Sequence, residues 1–471
     1  MVTTGYSSEK EALNGLKTLL MPALTKEQPR MDRIDRWWRW NPKPIRLRQG
    51  STWEHRMLRD LAITPWLSLV VTSVAQTLYL EGVDVPGGSD EDSARIWAPW
   101  LASRMSRQQT ALHRAALAYG ISYATVRGVD RGNGVHAEIE CFSPRHSIAL
   151  YEDPQTDVYP QVFMRERALS DTETQIDVWD SWNVFTWTVK GGIYSFVSST
   201  PHLGADKDGN PVCPVIRYTN QMDLEGRTPG EVEPYIPLAS RLNKDDYDRL
   251  LAQHYNSFKV RTATGLDMSQ MNSSEREGEK LRLSNESILV GDTEVKYGSL
   301  PETDLSNITA AKQADVEELS AVSQTPATAF GKMVNVGDAG IEESRAGFYA
   351  KRNERRKSFG VSHMDVLRLC AAVENRLDDA KNFRLSPLWE DTDTRTLSQA
   401  VDALGKASQS LGVPQQLLWD QIPGISKTRA DSWREYAREH PNPDELASRM
   451  YQSQMNAEDT DGINEEGGGA H

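Results

Sequence analysis

The 471-residue sequence has little of what secreted or membrane-spanning proteins contain. Its three cysteines, Cys141, Cys213 and Cys370, are far apart and form no CxxC pair. Zinc sites and disulfide frameworks need closely spaced or paired cysteines, so we expect buried free thiols in a reducing cytoplasm. No apolar run reaches the ~18 residues that a membrane-spanning helix needs. The N-terminus also lacks the apolar segment of a signal peptide, so the sequence predicts a protein without a membrane segment.

The sequence also lacks the common motifs of catalysis. It contains no HExxH, no GxSxG and no cluster of histidine and cysteine. Gly331-Lys332 is similar to the end of a phosphate-binding loop, but Pro326 occupies the position of the first glycine and Met333 replaces the serine or threonine. We therefore expect no nucleotide site, no cofactor and no resident metal ion.

One group of carboxylates keeps an enzymatic alternative open. Glu390, Asp391 and Asp393 stand close together in the sequence and could bind a metal ion. In that alternative the protein is a DNA-processing, metal-dependent hydrolase such as a nuclease. A solvated loop is the favoured interpretation, so we expect a protein that is not an enzyme. A further acidic segment, Asp206–Asn210, lacks the spacing of a calcium-binding EF-hand loop and indicates a turn.

The chain is acidic overall, with a formal net charge of -14, a pI of about 5.3 and a mean hydropathy of -0.58. A protein covered by a nonspecific DNA-binding surface would need that surface to be net basic. An acidic wall can still surround DNA, because it repels phosphate groups and lets a duplex slide. The composition therefore argues against a protein that binds DNA over its whole surface, but not against one through which DNA passes.

Two helices flank a polar segment in the middle of the chain. Apolar residues at three- and four-residue steps predict a helix that begins after Thr303 or Asp304 and stops before Pro326. A similar apolar pattern predicts an earlier helix over Pro237–Lys259. The polar residues 260–302 between these helices contain short β patterns. The order is therefore helix, small excursion, helix.

A loop and a long helix follow this pair. Residues 327–340 are rich in small residues, contain one lysine and predict a loop. From about Ile341 to Leu377 an amphipathic pattern predicts a long helix, with bends expected at Gly347 and Gly360. A flexible loop that contains a lysine and joins two helices is unusual in a globular core, and we expect it to project into a channel instead.

The motifs before and after this region resemble those of tailed-phage portal proteins, the head-to-tail connectors of siphophage capsids. The family has an Ile-Trp pair before an Ala-Leu-x-Tyr-Gly-x-Ser-Tyr-x-x-Val segment, and this chain has Ile96-Trp97 and Ala116–Val126. Ser143-Pro-Arg and Pro211–Asn220 are similar to two further elements of the family. The helical residues 394–439, which include Leu411-Gly-Val-Pro, resemble the helix pair of the portal crown. In the family, a stem helix also leads through a tunnel loop into a long kinked helix.

The resemblance implies an α+β, portal-type fold with a mixed α/β wing, a two-helix stem, a small α/β clip, a long kinked helix and a helical crown. The implied boundaries are wing 1–235 with a strand returning at 381–394, stem helices 236–259 and 303–323, clip 260–302, tunnel loop 324–340, long helix 341–380, crown 395–452 and a disordered acidic tail 453–471.

The resemblance also implies the function. About twelve copies would form a ring at one capsid vertex, as closed heterologous interfaces allow. Double-stranded DNA would be packaged and ejected through its channel without hydrolysis by the ring itself. The implied partners are further copies of the chain, the terminase large subunit, the head-tail adaptor, the major capsid protein and the scaffold. The implied location is the virion, after assembly in the host cytoplasm.

Two sets of residues are candidates for contact with DNA. The resemblance places six in the tunnel loop: Phe330, Lys332, Met333, Val334, Asn335 and Val336. The second set is the basic cluster on the long helix: Lys351, Arg352, Arg355 and Arg356. These cations could contact DNA phosphates, or they could pair with Glu342, Glu343 or acids of a neighbouring subunit. The second interpretation is favoured because no single face of the helix is purely basic.

An arginine- and tryptophan-rich segment, Arg33–Trp40, ends the helical residues near the N-terminus. Its indoles could stack on nucleic-acid bases. Packing against another subunit is the favoured interpretation, because indoles contribute strongly to protein interfaces.

Overall fold

A computed structural model describes residues 5–132, 134–257, 261–264, 296–299, 305–331, 338–390, 392, 397–422, 425 and 427–440. The chain divides into two compact units, Met1–Glu390 and Asp391–His471. The described residues combine many helices with antiparallel sheets, which confirms the predicted α+β class.

The helices follow in chain order. They are α1 Glu9–Gly15, which continues through the π-helical turn Leu16–Leu20 into α2 Met21–Trp38, then α3 Trp53–Leu61, α4 Trp66–Ala75, α5 Asp90–Ala102, α6 Met105–Tyr119, α7 Ile236–Ser257, α8 Ser306–Ser323, α9 Asp338–Val373, α10 Leu377–Ala380, α11 Leu397–Leu411 and α12 Lys427–Glu439. The strands are β1 Leu80–Asp84, β2 Ile121–Asp130, β3 Val135–Phe142, β4 Ser147–Leu150, β5 Val162–Ser170, β6 Glu173–Trp179, β7 Asn183–Lys190, β8 Ile193–Pro201, β9 Val215–Thr219, β10 Arg261–Thr264, β11 Lys296–Ser299 and β12 Ser386–Trp389.

The largest core lies around a three-stranded antiparallel sheet with the order β3-β2-β9. Helices α6 and α9 pack against this sheet and bury their apolar side chains there. Gly120 ends α6 in the left-handed region at φ 97°, and a Cβ at this position would lie 1.9 Å from the carbonyl oxygen of Thr228. Glycine therefore lets residues after Thr228 pass close to α6, where Glu231 N donates to Leu117 O over 2.6 Å.

A five-stranded antiparallel meander with the order β4-β5-β6-β7-β8 forms a second core. The N-terminal helix covers one face, where Leu16 and Leu20 pack with Trp187. The predicted turn at Gly191-Gly192 joins β7 to β8, and both glycines have positive φ, as tight hairpin turns require.

The last strand of the first unit returns to its beginning. Strand β12 pairs antiparallel with β1, with Leu80 opposite Trp389 and Val83 opposite Pro387. The sequence predicted a returning strand in this region, and the pairing confirms it. Gly360 on α9 makes room for this strand, because a Cβ there would lie 2.9 Å from Pro387 Cγ.

The long helix differs in detail from the prediction. Helix α9 begins at Asp338, is continuous for 36 residues through Gly347 and Gly360, and ends at Val373. The predicted extension to Ala380 is wrong, because Asn375 adopts a left-handed φ of 58° and the chain restarts as the short helix α10. Gly360 allows close packing rather than interrupting the helix.

One expectation about apolar runs needs correction. The stretch Trp53–Ala75 is long and apolar enough to cross a membrane by length and composition alone. It forms two helices, α3 and α4, rather than one, and Leu67, Val71 and Val74 of α4 are buried in the main core. The core of a globular unit therefore accounts for the hydropathy of α4.

The predicted thiols and the acidic turn agree with the structure. All three cysteines are free; Cys213 and Cys370 are buried, and burial raises the pKa of Cys141 to about 12. Asp206 accepts hydrogen bonds from the backbone N–H groups of Asp208 and Asn210, both at 2.8 Å, which is an Asx-type turn. No cluster of three metal-ligating side chains occurs among the described residues.

The tryptophans near the end of α2 pack within their own subunit. Trp37 and Trp38 pack against the main core, and Trp38 meets Tyr119 edge to face with ring centroids 5.5 Å apart. Trp40 follows the helix and is exposed. Intramolecular packing thus accounts for two of the three indoles in Arg33–Trp40.

The clip and crown are described only in part, and the predicted tail, residues 453–471, lies outside the described residues. At the two ends of the predicted clip, β10 pairs antiparallel with β11. The described helices of the second unit, α11 and α12, lie within the predicted crown.

Candidate functional site

Helices α7 and α8 form an antiparallel pair held together by charged side chains. Arg241 on α7 bonds to Asp315 Oδ2 over 2.6 Å and also to Glu318 on α8. Nearer the other end, Lys312 Nζ lies 2.6 Å from Asp246 Oδ1. Burial and a hydrogen bond shared with Asp315 raise the pKa of Asp245. The pair therefore carries both ionic links and crowded carboxylates along its length.

Helix α8 ends as its sequence predicts. Gln324 adopts a left-handed conformation at φ 51°, and the N–H of Thr325 donates to Ser320 O over 3.1 Å. Pro326 follows and cannot continue the helix. A 3₁₀ turn, Ala327–Phe330, then leads into the predicted tunnel loop.

The 3₁₀ turn before that loop is attached to the start of α4. The ring of Phe330 packs against Trp66 at the beginning of α4, with ring centroids 5.8 Å apart. Lys312 Nζ lies 5.9 Å from the same indole. The loop candidates Lys332, Met333, Val334, Asn335 and Val336 lie outside the described residues. Phe330 therefore anchors the turn before the loop.

A buried ionic junction joins α9 to the bases of both α7 and α8. Glu231, which precedes α7, receives hydrogen bonds from Lys351 Nζ at 2.6 Å and Arg355 Nη2 at 2.9 Å. Asn220 Nδ2 adds a third at 3.2 Å, and Lys351 also donates to Ser323 O, at the end of α8, over 2.9 Å. The charged side chains are 4%, 3% and 1% exposed for Glu231, Lys351 and Arg355. Because these charges are removed from water, the loss of one side chain would leave the charge of its partner buried and uncompensated.

The pKa shifts agree with a charged junction. Burial alone would raise the pKa of Glu231, but the charges of Lys351 and Arg355 outweigh burial and lower it. Burial is the larger influence on Lys351 and lowers its pKa, although the negative charge of Glu231 opposes this shift. The carboxylate thus stays ionised between two cations.

This geometry corrects the hypothesis that the basic cluster faces DNA. Lys351 and Arg355 are buried and bound to Glu231, so neither presents a free cation to a phosphate group. Arg352 is also buried and lies over the ring of Tyr349. Arg356 donates to the carbonyl oxygens of Thr77 and Glu390, both at 2.9 Å. Ion pairing was the favoured interpretation, and among the described residues the acids are Glu231, which pairs with Lys351 and Arg355, and Glu354, which pairs with Arg355. The side chains of Glu342 and Glu343 lie outside the described residues.

A chain of buried hydrogen bonds holds α9 farther along. His113 Nδ1 is 3.0 Å from Leu78 O, and His113 Nε2 is 2.8 Å from His363 Nε2. The hydroxyl of Tyr218 lies 2.8 Å from His363 Nδ1. Burial favours the neutral form of both imidazoles. With neutral rings, Leu78 O requires the proton of His113 on Nδ1, so His363 Nε2–H donates to His113 Nε2 and Tyr218 O–H donates to His363 Nδ1.

Protonation of either histidine would disrupt this chain of hydrogen bonds, because it places a second proton between groups that already share one. Burial lowers the pKa of His113 to about 4, against the opposing effect of Leu78 O. Burial and the nearby His113 lower the pKa of His363 well below its usual value. The edge of Trp100 and the face of Phe359 enclose the pair. The pair therefore anchors α9 most strongly when it is uncharged.

The free energy of unfolding is expected to fall as the pH is lowered from about 7 towards 4. The unfolded chain protonates these histidines near pH 6.5, whereas folded His113 resists protonation until about pH 4. For His113 alone the shift corresponds to roughly 3 kcal/mol. Urea unfolding at several pH values measures the slope of the free energy of unfolding against pH. His363→Gln should flatten this slope, and His440→Gln, at an exposed site, should leave it unchanged. An unchanged slope in His363→Gln would contradict the view that the buried histidine pair causes it.

The sequence reasoning did not identify Glu231, His113 or His363, and it named Asn220 only as the end of a family element. The histidines stand within apolar helical patterns, and that position is a signal that could have marked them as core residues. Glu231 has no comparable local signal. Of the alternative metal-binding set, Glu390 uses its backbone oxygen to accept from Arg356, while Asp391 and Asp393 lie outside the described residues.

The comparisons with known proteins identify the family of the chain. A family described as "Phage portal protein, SPP1 Gp6-like" matches residues 20–441. No curated protein matches the chain. Among solved structures, a chain titled "Neck of empty GTA particle computed with C6 symmetry" is 11% identical to this chain. The match covers 82% of this chain and 93% of that chain, and its TM-score of 0.39 is too low to show a shared fold. The family match spans both helices of the pair, the ionic junction and most of the second unit, so the chain belongs to the SPP1 Gp6-like family of phage portal proteins.

Proposed function

We propose that the chain carries out the portal role of its family as a siphophage-type head-to-tail connector. About twelve copies would form a closed ring at one capsid vertex, in which each subunit uses two different faces. Double-stranded DNA would pass through the ring inward during packaging and outward during infection. The observation that carries the proposal is the family match over residues 20–441.

The antiparallel helix pair supports a channel at the centre of the ring. Helices α7 and α8 are joined to one another by ion pairs and to the long helix by Lys351. We assign 236–259 and 303–323 to the stem and 260–302 to the clip. In this proposal the tunnel loop lies between α8 and α9, with Lys332 as the loop's DNA-contacting cation, and the long helix is α9, Asp338–Val373.

The remaining segments would bind the other components of the particle. The wing, 1–235 with its return at 381–394, and the crown, 395–452, would face the capsid protein and the scaffold. The clip would dock the head-tail adaptor and the terminase large subunit. The terminase would supply ATP hydrolysis, because Pro326 and Met333 replace two required residues of a phosphate-binding loop. We propose a structural, non-enzymatic role in the virion after assembly in the host cytoplasm.

The native mass of the purified protein tests the proposal. Mass photometry is expected to give about twelve times the subunit mass of 52.8 kDa, and negative-stain images should show rings with a central hole. A sample without rings should be mixed with scaffold and capsid protein. Particles that remain monomeric in that mixture would reject the ring. Metal-dependent cleavage of plasmid DNA that is lost in Asp391→Asn/Asp393→Asn would favour the nuclease instead.

A further inference from the structure

Basic side chains are concentrated in one stretch of this acidic chain. Residues 33–63 contain eight arginines and lysines and three aspartates and glutamates, whereas the whole chain has a formal net charge of -14. The stretch covers the end of α2, the segment after it and α3. A local excess of one charge in a chain of the opposite sign attracts a partner of complementary charge. The stretch is therefore a candidate for contact with an anion.

The three acids of this stretch are bound by their neighbours. Two of them pair with arginines of the same stretch, in the pairs Asp35–Arg39 and Asp60–Arg59. Glu54 accepts a hydrogen bond from the side chain of Thr52, which lowers the pKa of Glu54. The other six cations form no ion pair among the described residues: Arg33, Arg36, Lys43, Arg46, Arg48 and Arg56.

A cleft of about 320 Å³ lies between this stretch and α7. Among the described residues, its walls carry four basic side chains, Lys43, Arg46, Arg59 and Lys244, and no carboxylate. Ser240 of α7 adds a hydroxyl group. Cations and hydroxyl donors are the groups with which proteins bind phosphate. The cleft therefore suits a phosphate group in charge and in chemistry.

Two of the four cations are neutralised within the subunit and two are not. Arg59 is paired with Asp60, and Lys244 is paired with Asp248 one turn along α7. The other two, from the segment between α2 and α3, are exposed and unpaired in the described part of the chain: Lys43 and Arg46. The cleft therefore keeps an excess of positive charge after its neighbouring carboxylates are counted.

The cleft lies on the side of α7 that faces away from α8. Lys244 lines the cleft, and α3 packs on Tyr247, about 60° away around the helix axis. Arg241 and Asp245, which bond to α8, are about 120° and 160° away from Tyr247. Helices α3 and α8 therefore occupy opposite sides of α7, and the crowded carboxylates between α7 and α8 are separated from the cleft by the helix itself.

The proposed role brings one anion of high charge density to this protein. Double-stranded DNA carries one negative charge per about 1.7 Å of its axis. Arginine binds a phosphate group through two parallel N–H groups, and lysine binds it as a point charge. Lys43 and Arg46 are three residues apart, so their Cα atoms are at most about 11 Å apart. The two cations can therefore contact phosphate groups of one strand.

We propose that the cleft lined by Lys43, Arg46, Arg59 and Lys244 binds phosphate groups of the DNA backbone. The inference rests on the proposed function and deepens it, since it gives the chain a contact with DNA separate from the loop that contains Lys332. The contact involves charges and hydroxyl donors but no base edges, so it is independent of sequence.

Removal of the two unpaired cations tests this contact. Lys43→Ala/Arg46→Ala, made in the Lys332→Ala background, is expected to weaken binding of a short DNA duplex without lowering the melting temperature of the protein. The slope of log K against log salt should become smaller by about 2, one unit for each lost cation. Fluorescence anisotropy of the labelled duplex at several salt concentrations measures both quantities. Lys190→Ala/Arg384→Ala, at exposed sites without a described ion pair, should change neither.

Four outcomes would overturn the contact with DNA. The first is an unchanged affinity and salt slope in Lys43→Ala/Arg46→Ala. Displacement of the duplex by inorganic phosphate at constant ionic strength would assign the cleft to the free ion. Tighter binding of polyglutamate than of DNA, lost in the same variant, would assign it to an acidic protein segment. Monomers of the variant where the wild type forms rings would place the cleft between subunits.

The binding assay distinguishes a failure of this contact from a failure of the proposed function, because it needs no ring. Subunits that bind DNA through Lys43 and Arg46 but form no rings with scaffold and capsid protein would support the cleft and count against the portal ring. Rings that assemble normally and show none of the expected losses would keep the portal ring and overturn the cleft.

Discussion

Replacement of Glu231 by glutamine is expected to lower the free energy of unfolding by ~3–5 kcal/mol. The amide keeps the shape of the side chain but leaves buried Lys351 without its carboxylate and Arg355 with only the largely exposed Glu354. Because Lys351 also binds Ser323 O, the loss should loosen the end of α8 together with α9. Urea or thermal unfolding of the purified subunit, monitored by circular dichroism, measures the change.

A neighbouring glutamate provides the matched control. Glu233 pairs with Arg30 over 2.8 Å, but both side chains are about one-third exposed. Water screens such a pair, so Glu233→Gln should cost about 1 kcal/mol or less. Adding Lys351→Met to Glu231→Gln should recover part of the stability, since one unpaired cation is removed. Equal losses in Glu231→Gln and Glu233→Gln would show that the junction does not depend on its buried charges.

Deletion of Lys332–Val336 is expected to leave rings intact and to abolish stable retention of DNA in assembled particles. The deletion spares Phe330, because its ring packs on Trp66 and holds the turn that precedes the loop. The reason for the loss is that the deletion removes Lys332, the cation proposed to contact DNA, together with the apolar side chains beside it. Packaged DNA protected from nuclease is the measurement, with Lys332→Ala as the variant that removes the charge alone.

The native mass of the same deletion variant distinguishes two explanations. Rings of wild-type mass that fail to retain DNA would assign the loop to the handling of DNA. Monomers would show instead that the loop holds subunits together, and wild-type levels of protected DNA would remove it from the proposed mechanism. Phe330→Ala completes the comparison, because it disturbs the anchor while keeping every residue of the loop.

Local patterns in the sequence were enough to predict most elements of the first unit. Apolar periodicity predicted α7 and α8 to within three residues at their described ends, since a helix buries one face at a fixed step. Pro326 and Gly191-Gly192 marked a helix stop and a hairpin because their backbone restrictions act on adjacent residues. The returning strand β12 was predicted only with the family resemblance, since a four-residue strand carries little pattern of its own.

The candidate site was harder to predict than the fold. The basic cluster on α9 was visible in the sequence, but its helical positions could not show whether Lys351 and Arg355 point to a channel or to the core. The helix end at Val373 was also missed, because the apolar pattern continues to Leu377 after the backbone has turned at Asn375. In both cases a local pattern was compatible with more than one tertiary arrangement.

The sequence by itself determined the fold class, the helix pair and its excursion, and the portal resemblance, because these depend on short-range periodicity and on motifs. Only the tertiary structure decided that Glu231 is the counter-ion of residues 120 and 124 positions later, and that His113 bonds to His363, 250 positions away. It also decided that α3 and α8 occupy opposite sides of α7. The physical reason is that charge pairing and burial depend on distance in space, and periodicity shows only which face of one element is apolar.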